Sequence, residues 1–404
     1  MATGPEPGIE LGINSPWSPE FIQELLPSAE RTALLYHLSY LCLGGFPKLE
    51  RLIRERAIET QLLFGSSEAV LLKCVGTSSN LVASLFPILK KAVEMNKPVL
   101  ALRYLEKAKA WISDIITAVD DMVKRYDQQN KSVATCTSNV FEEQEETQEK
   151  QTKHSDEMKG LEDALAKLEV ELRKNVDDMK KNEKKIKDST NELQDRIRKY
   201  EEKQRSLFFM VFQILFGVSQ DFSKIAGYVA IEDKLSHLET EKNHLRNNEW
   251  DIKIRQTDLQ LKLATNKIKM GEIPSTVHLT EVQQCLHQIQ QVLVDLKKFW
   301  EKVGVTLDTL KDKTFVGEDI IDLEDLKDVF LASIEEAGKY WQRFGACSQR
   351  AQGVFSVQSK DAYKFLEINP SWLTEEERSK QYASIMKKLK KNGPRGSSTA
   401  TINE

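Results

Sequence analysis

Hydrophobic residues follow helical spacing along most of the chain. Apolar side chains recur at steps of three and four residues, which is the period of an amphipathic helix. Gly44-Gly45-Phe46-Pro47 separates the first helical stretch from the next, and Lys97-Pro98 precedes a third, because the residue before a proline is disfavoured in helical geometry. We therefore predict a flexible N-terminus at 1–19 and a helical bundle at 20–135.

The apolar pattern then narrows to a heptad stripe. More than half of residues 142–205 are charged, with no proline, while apolar side chains persist at steps of three, four and seven: Leu161, Leu165, Leu168, Leu172, Met179, Ile186 and Leu193. A sustained stripe of this width is typical of a coiled coil, so we predict a long charged heptad helix at 136–205. The alternative interpretation is a charged helix or disordered segment that is solvated along its length.

A second stripe offers the first one a partner. It lies in another charged, proline-free segment and consists of Ile231, Leu235, Leu238, Leu245, Ile252, Leu259 and Leu263. We predict a second long heptad helix at 232–271, antiparallel to the first. At 1.5 Å per residue it would be about 60 Å long, so a rod is predicted.

The most apolar segment of the chain joins the two predicted helices. Residues 206–231 contain an apolar run, a polar interruption at 219–224 and a second apolar run. We predict a hydrophobic tongue here, whose candidate membrane-contacting residues are Leu207, Phe208, Phe209, Met210, Val211, Phe212, Ile214, Leu215, Phe216, Val218, Ile225, Tyr228 and Val229.

Length limits how the tongue can meet a bilayer. Twelve helical residues reach about 18 Å, short of the roughly 30 Å hydrocarbon core, so neither half spans it as a single helix. A hydrophobic hairpin that is folded against the protein in water and inserts after rearrangement satisfies this limit, because backbone groups must be paired in lipid. The alternative is that the tongue is buried at the end of the bundle, as apolar runs of 10 to 14 residues often are.

The remaining chain is also helical by pattern. Apolar faces at 272–353 predict further bundle helices. Residues 354–404 predict a short helix and a disordered tail, and Thr374 with Glu377 three residues later has the spacing of a capping box.

Composition adds mainly exclusions. The 404 residues carry 58 basic and 62 acidic side chains and a net charge of −4, so we expect no nucleic-acid partner. The five cysteines are scattered, without the close pairs of a zinc site or a disulfide framework. Phosphate-binding loops, zinc-protease helices and serine-hydrolase elbows are missing from the sequence, so we predict no enzyme, cofactor, metal site or small-molecule substrate.

The first residues lack the basic flank and apolar run of a secretory signal. We expect synthesis in the cytoplasm, followed by membrane association or by release that does not use a signal peptide. His237 and His244 lie seven residues apart near the predicted tip, where protonation would loosen helix pairing; the alternative is that both are exposed and titrate ordinarily.

The order of these parts resembles the alpha-helical pore-forming toxins of the cytolysin A and haemolysin BL or non-haemolytic enterotoxin type. The resemblance covers residues 30–350 in layout, and it implies a tongue that packs on the bundle in the soluble monomer and inserts as protomers assemble. We therefore expect an all-α, elongated bundle with a long antiparallel coiled-coil hairpin and a hydrophobic tongue, a lipid membrane as partner, and self-association. A non-enzymatic coiled-coil scaffold protein, with the tongue buried, is the alternative function.

Overall fold

The computed structural model describes residues 19–95, 97–148, 156–203, 228–269, 277–311 and 324–392. These residues form helices and short turns, and no strand occurs among them. The prediction of an all-α fold is confirmed. Residues 1–18 of the predicted N-terminal segment 1–19, and the tail from 393, lie outside the described residues.

The first helices follow the punctuation of the sequence. A short 3-10 helix, Pro19–Glu24, leads into α1, Leu25–Leu43. Helix α2, Pro47–Asn80, begins at the proline that follows the glycine pair, where a missing N–H costs nothing. A π-helical turn, Leu81–Leu85, connects α2 to α3, Phe86–Glu94, in one continuous helix.

The later helices are long. Helix α4 is Pro98–Gln148 and α5 is Asp156–Lys203. Helix α6 is Tyr228–Lys269, α7 is Val277–Leu310 and α8 is Glu324–Lys360. The 51 residues of α4 alone reach roughly 75 Å.

One helix boundary differs from the prediction. Helix α4 continues through residues 135 and 136, where we place the start of the charged heptad helix, and ends at Gln148. Its buried face explains the extension, because Val133, Cys136 and Val140 stay buried at helical spacing. The heptad helix α5 begins only at Asp156.

Helices α1, α2, α4, α7 and α8 form a single bundle, in which the predicted N-terminal and C-terminal helix groups are interleaved. Ser28 Oγ of α1 donates to Gln288 Oε1 of α7 at 2.8 Å, and Lys297 of α7 pairs with Asp120 of α4 at 2.6 Å. Helix α2 packs on α4 through Gln129 Nε2, which donates to Thr60 Oγ1 at 2.8 Å. Helix α8 packs on α2 and α1 and completes the bundle.

Aromatic side chains fill the bundle where α7 meets α8. Phe299 stacks on Phe344 with ring centroids 4.8 Å apart, and Trp300 lies 5.4 Å from Trp341. Trp300, Trp341 and Phe344 are at most 1% exposed. Rings of this size contribute more buried apolar area than any other side chains, so this layer links α7 and α8 through side chains that meet in the interior of the bundle.

The C-terminal helix α9, Glu375–Lys391, packs on α1. Its predicted capping box is confirmed: Glu377 N donates to Thr374 Oγ1 at 3.2 Å, and Thr374 N donates to Glu377 Oε2 at 2.9 Å. The turn before α9 places Pro370 against the end of α1 at Gly44. This contact joins the first long helix to the last part of the described chain.

We predict that Gly44→Ala destabilises the fold by about 2 kcal/mol, the usual cost of overpacking. A methyl group at this position would clash with Pro370 Cγ and with the Tyr40 carbonyl oxygen. Gly45→Ala is the matched control, because nothing lies within 4 Å of its added methyl group. Urea denaturation followed by circular dichroism compares the two, and equal midpoints would contradict the prediction.

Candidate functional site

The predicted tongue falls almost entirely outside the described residues. This applies to Leu207, Phe208, Phe209, Met210, Val211, Phe212, Ile214, Leu215, Phe216, Val218 and Ile225. Tyr228 and Val229 form the first turn of α6. The described part of the candidate site consists of the two helices that lead into the tongue and of their attachment to the bundle.

Helices α5 and α6 pack side by side and antiparallel. Asn182 Nδ2 donates to Glu241 Oε2 at 2.8 Å, and Arg255 pairs with Glu171 at 2.9 Å. Residue numbers rise along one helix as they fall along the other, as an antiparallel pair requires. Lys203 and Tyr228, which end α5 and begin α6, therefore lie at the same end of the helix pair.

The interface between α5 and α6 is polar over three successive heptads. Asn175, Asn182 and Ser189 are 4%, 1% and 1% exposed, whereas the apolar Leu172 and Ile186 are only half-buried. Asn175 Nδ2 donates to the Leu245 carbonyl oxygen at 2.9 Å. We call Asn175, Asn182 and Ser189 the polar seam.

The polar seam was missed by the sequence analysis, although it has a signal. Asn175, Asn182 and Ser189 continue the seven-residue steps of Leu161 and Leu168. A count of apolar positions passes over such residues, because it follows hydrophobic side chains only. Buried asparagine at a core position of a coiled coil fixes register at a cost in stability.

The polar seam is not fully satisfied by the described residues. Asn182 Oδ1 and Ser189 Oγ are buried without a hydrogen-bond partner among them. A buried polar atom without a partner costs about 1–3 kcal/mol. The α5–α6 pair is therefore held together less tightly than an all-leucine seam of equal length would be.

Helix α6 also connects the pair to the bundle. The Arg31 guanidinium of α1 lies 3.6 Å from the ring centroid of Trp250, a close cation–π contact. Arg31 also donates to the Asn392 carbonyl oxygen from Nε at 3.2 Å and from Nη2 at 3.1 Å. Burial lowers the pKa of Arg31. One guanidinium thus joins α1, α6 and the end of α9.

Lys253, three residues further along α6, strengthens the attachment. Its Nζ lies 2.9 Å from Glu249 and 3.4 Å from Glu281 of α7, and it donates to Gln284 Oε1 at 2.8 Å. Burial lowers the pKa of Lys253, but the carboxylates of Glu281 and Glu249 outweigh it and the pKa is raised. Trp250 and Lys253 together form what we call the anchor.

The anchor encloses a small cavity between α1, α6 and α7. Its lining includes Arg31, Trp250, Thr257, Cys285 and Gln288. Its volume is about 20 Å³, room for roughly one water molecule. A cavity of this size does not hold an organic ligand, so the anchor is an attachment point.

Titratable groups elsewhere follow ordinary structural roles. His237 and His244 are exposed on α6. The five cysteines are buried and free, and the described residues contain no cluster of three potential metal ligands. His278, at the start of α7, is 3% exposed, and burial lowers its pKa to about 4.

Among the residues that the structure describes, one helix has the length and composition of a membrane-crossing helix. The continuous helix Pro47–Glu94 contains a stretch long and apolar enough to cross a bilayer, and 44% of that stretch is buried inside the protein. Core helices of soluble proteins share this length and composition. The packing of α2 between α4 and α8 is consistent with a core helix.

Comparison with known proteins adds no relative. No protein-family model matches the chain, and no curated protein matches its sequence. The resemblance to pore-forming toxins therefore remains one of layout.

We predict that Asn182→Leu raises the free energy of unfolding by roughly 1–2 kcal/mol, because it removes a buried oxygen that lacks a partner. Glu241, which loses one hydrogen bond, is only half-buried and can be solvated. Asn191→Leu on the exposed face of α5 is the control, with a change below about 0.5 kcal/mol. Urea denaturation gives the energies, and hydrogen exchange locates the effect in α5 and α6. A destabilised Asn182→Leu would show that the polar seam is not a weak point.

We predict that acid destabilises the fold through His278. Its folded pKa of about 4 lies below its ordinary value of 6.5, so the unfolded chain binds the proton first and stability falls as the pH drops from 6.5 towards 4. The loss between pH 7 and pH 4.5 is about 2–3 kcal/mol. His278→Gln reduces the pH dependence of the urea midpoint without removing it, because burial also lowers the pKa of His37 to about 4. His287→Gln, at an exposed position, is the control and leaves the profile unchanged. Parallel pH profiles for all three proteins would refute this assignment.

Proposed function

We propose that this protein docks on or inserts into lipid membranes through the tongue at 206–231, and that α5 and α6 hold the tongue away from the bundle. No catalytic step is involved. The arrangement of the α5–α6 pair carries the proposal.

The position of the two helix ends that border the tongue supports the proposal. The anchor at Trp250 lies 22 residues from Tyr228 along α6, which is about 33 Å of helix. Four residues closer to Tyr228, Arg246 makes a further polar contact with the bundle, because it pairs with Glu24 at 3.3 Å. The tongue is joined to Lys203 and Tyr228. These two helix ends lie far along the α5–α6 pair from the anchor, where α6 is attached to the bundle.

The polar seam supports the same proposal. A tongue that leaves water for lipid requires the helices that carry it to rearrange. An interface with buried asparagines and a buried serine opens at a lower free-energy cost than an apolar one, because its polar groups gain water when they separate.

The resemblance to pore-forming toxins adds assembly on the membrane to this proposal. In that layout the protomers associate as the tongue inserts. Self-association and pore formation are parts of the proposal that its experiment separates from simple docking.

A coiled-coil scaffold is the second candidate function. The observation that favours it is the pairing of α5 with α6, in which asparagines set the register as they do in stable coiled coils. In that case the tongue contributes to folding rather than to membrane contact.

We predict that Phe209→Asp/Phe216→Asp abolishes binding to liposomes, because charged side chains at these positions oppose transfer into lipid. Flotation with phosphatidylcholine/phosphatidylserine vesicles measures docking, and release of an entrapped dye measures pore formation. Phe141→Asp is the matched control, since Phe141 is a phenylalanine of α4 that is 50% exposed.

The result expected is flotation of the wild type and of the control but not of the double variant, with equal helical content by circular dichroism. Flotation without dye release would retain docking and remove pore formation. Neither flotation nor release for the wild type at pH 7.4 and pH 5.5 would refute the membrane proposal and favour the scaffold.

A further inference from the structure

Helix α2 has a second apolar face, which points to solvent. Its buried face packs on α4 and α8 and includes Phe64, Leu71 and Cys74, none more than 1% exposed. The outer face carries small and apolar residues at alternating steps of four and three. We call these residues the α2 stripe: Ile58, Leu62, Gly65, Ala69, Leu72 and Gly76.

The large side chains of the α2 stripe are unusually exposed. Leu62 is 65% exposed, Leu72 is 50% exposed and Ile58 is 41% exposed. Single exposed apolar residues are common, but three on one helix face at heptad spacing form a coiled-coil seam. The seam is about three heptads long.

Packing within the protomer does not require glycine at the two glycine positions of the stripe. A methyl group at Gly76 would meet no atom within 4 Å, and one at Gly65 would make only an ordinary contact with Ser359 Cβ at 3.9 Å. Glycine in a helix interior costs about 1 kcal/mol relative to alanine. The protomer therefore accepts this cost without using the space, which a second helix approaching from outside would use.

Charged residues lie along the edges of the stripe. Glu59 and Lys73 occupy the same edge, and both are partly or fully exposed. Lys73 forms no ion pair among the described residues, whereas Glu59 pairs with Arg56 of the same helix at 2.8 Å. Glu68, on the other edge, is turned towards α8, where Gln352 Nε2 donates to its Oε1 at 2.9 Å.

We propose that the α2 stripe is the interface at which two copies of this chain pair, with their α2 helices antiparallel. With the axis near residue 67, Leu62 of each copy faces Leu72 of the other, and Gly65 faces Ala69. Ile58 then enters the open space beside Gly76. Glu59 comes beside Lys73 of the second copy, so the cation of each copy gains a carboxylate, twice by symmetry.

Charge and width favour a second copy over lipid as the occupant. A helix that lies on a bilayer presents a broad apolar face, whereas the α2 stripe is narrow and has Glu55, Glu59 and Lys73 at its margins. Antiparallel pairing also opposes the two helix dipoles. Pairing in solution does not depend on the proposed membrane function.

Sedimentation equilibrium of the full chain, from 1 to 200 μM, tests the interface. The wild type is expected to shift reversibly from 46.2 kDa towards twice that mass. Leu62→Glu/Leu72→Glu should remain a monomer with unchanged helical content. Val170→Glu/Val357→Glu is the control, because both valines are more than half exposed on other helices; it should dimerise like the wild type.

A charge reversal tests the edge pairing. Lys73→Glu should weaken dimerisation roughly fivefold, as expected for loss of two exposed ion pairs, and added Glu59→Lys should restore it. A wild type that is monomeric throughout the range, or a dimer that persists in Leu62→Glu/Leu72→Glu, would overturn the proposal.

Disulfide cross-linking tests the orientation. Leu62→Cys and Leu72→Cys proteins are mixed and oxidised; the native cysteines are buried, so the new thiols are the ones that react. Cross-links between the two variants are expected, and homotypic 62–62 cross-links would overturn the antiparallel arrangement.

Liposome flotation distinguishes this proposal from the membrane function. Leu62→Glu/Leu72→Glu should float like the wild type if docking uses the tongue. Loss of flotation in this variant, with a monomeric wild type, would assign the α2 stripe to lipid and overturn the dimer.

Discussion

The architecture depends on a helix that is buried on two sides. Trp250, Ile254 and Leu261 of α6 belong to the core of the bundle. Ile231, Leu238 and Ile252 are also buried, outside that core, along the opposite face of α6. Because α5 packs extensively on α6 among the described helices, its position relative to the bundle is set by α6. The contacts of α6 with the bundle, among them that of Arg31 with Trp250, therefore set where the helix pair lies.

The two interfaces of α6 differ in chemistry, and this difference suggests a division of roles. The bundle side is held by an aromatic ring, a guanidinium and a half-buried lysine between two carboxylates. Breaking a buried ion pair leaves charges uncompensated and costs several kcal/mol. Each side also has a buried polar atom without a partner among the described residues: Trp250 Nε1 in the anchor, and Asn182 Oδ1 and Ser189 Oγ in the polar seam. The three residues of the polar seam carry no charge, so under the proposed membrane function we expect rearrangement to begin between α5 and α6, with α6 remaining on the bundle.

Much of the fold could be predicted from the sequence because local rules govern it. Pro47 begins α2, and Thr374 with Glu377 forms the capping box. The apolar spacing of α6 revealed the face towards α5. It did not reveal the face towards the bundle, because Trp250 and Ile254 lie among charged residues and their partners come from α1, which is some 220 residues earlier in the chain. Tertiary partners of this kind leave no local signal. The tongue lies outside the described residues, so its role stays a prediction.

The α2 stripe and the helix ends that border the tongue belong to separate parts of the described architecture. Helix α2 packs on α1, α4 and α8, whereas Lys203 and Tyr228 lie at one end of the α5–α6 pair. A dimer formed through α2 would cover a face of the bundle and leave the α5–α6 pair uncovered by that contact. Substitutions on α2 can therefore change the association state without touching the polar seam, and substitutions in the seam can change the opening of the pair without touching α2. If assembly and membrane docking are coupled in this protein, the coupling must pass through the bundle to the anchor at Trp250 and Lys253.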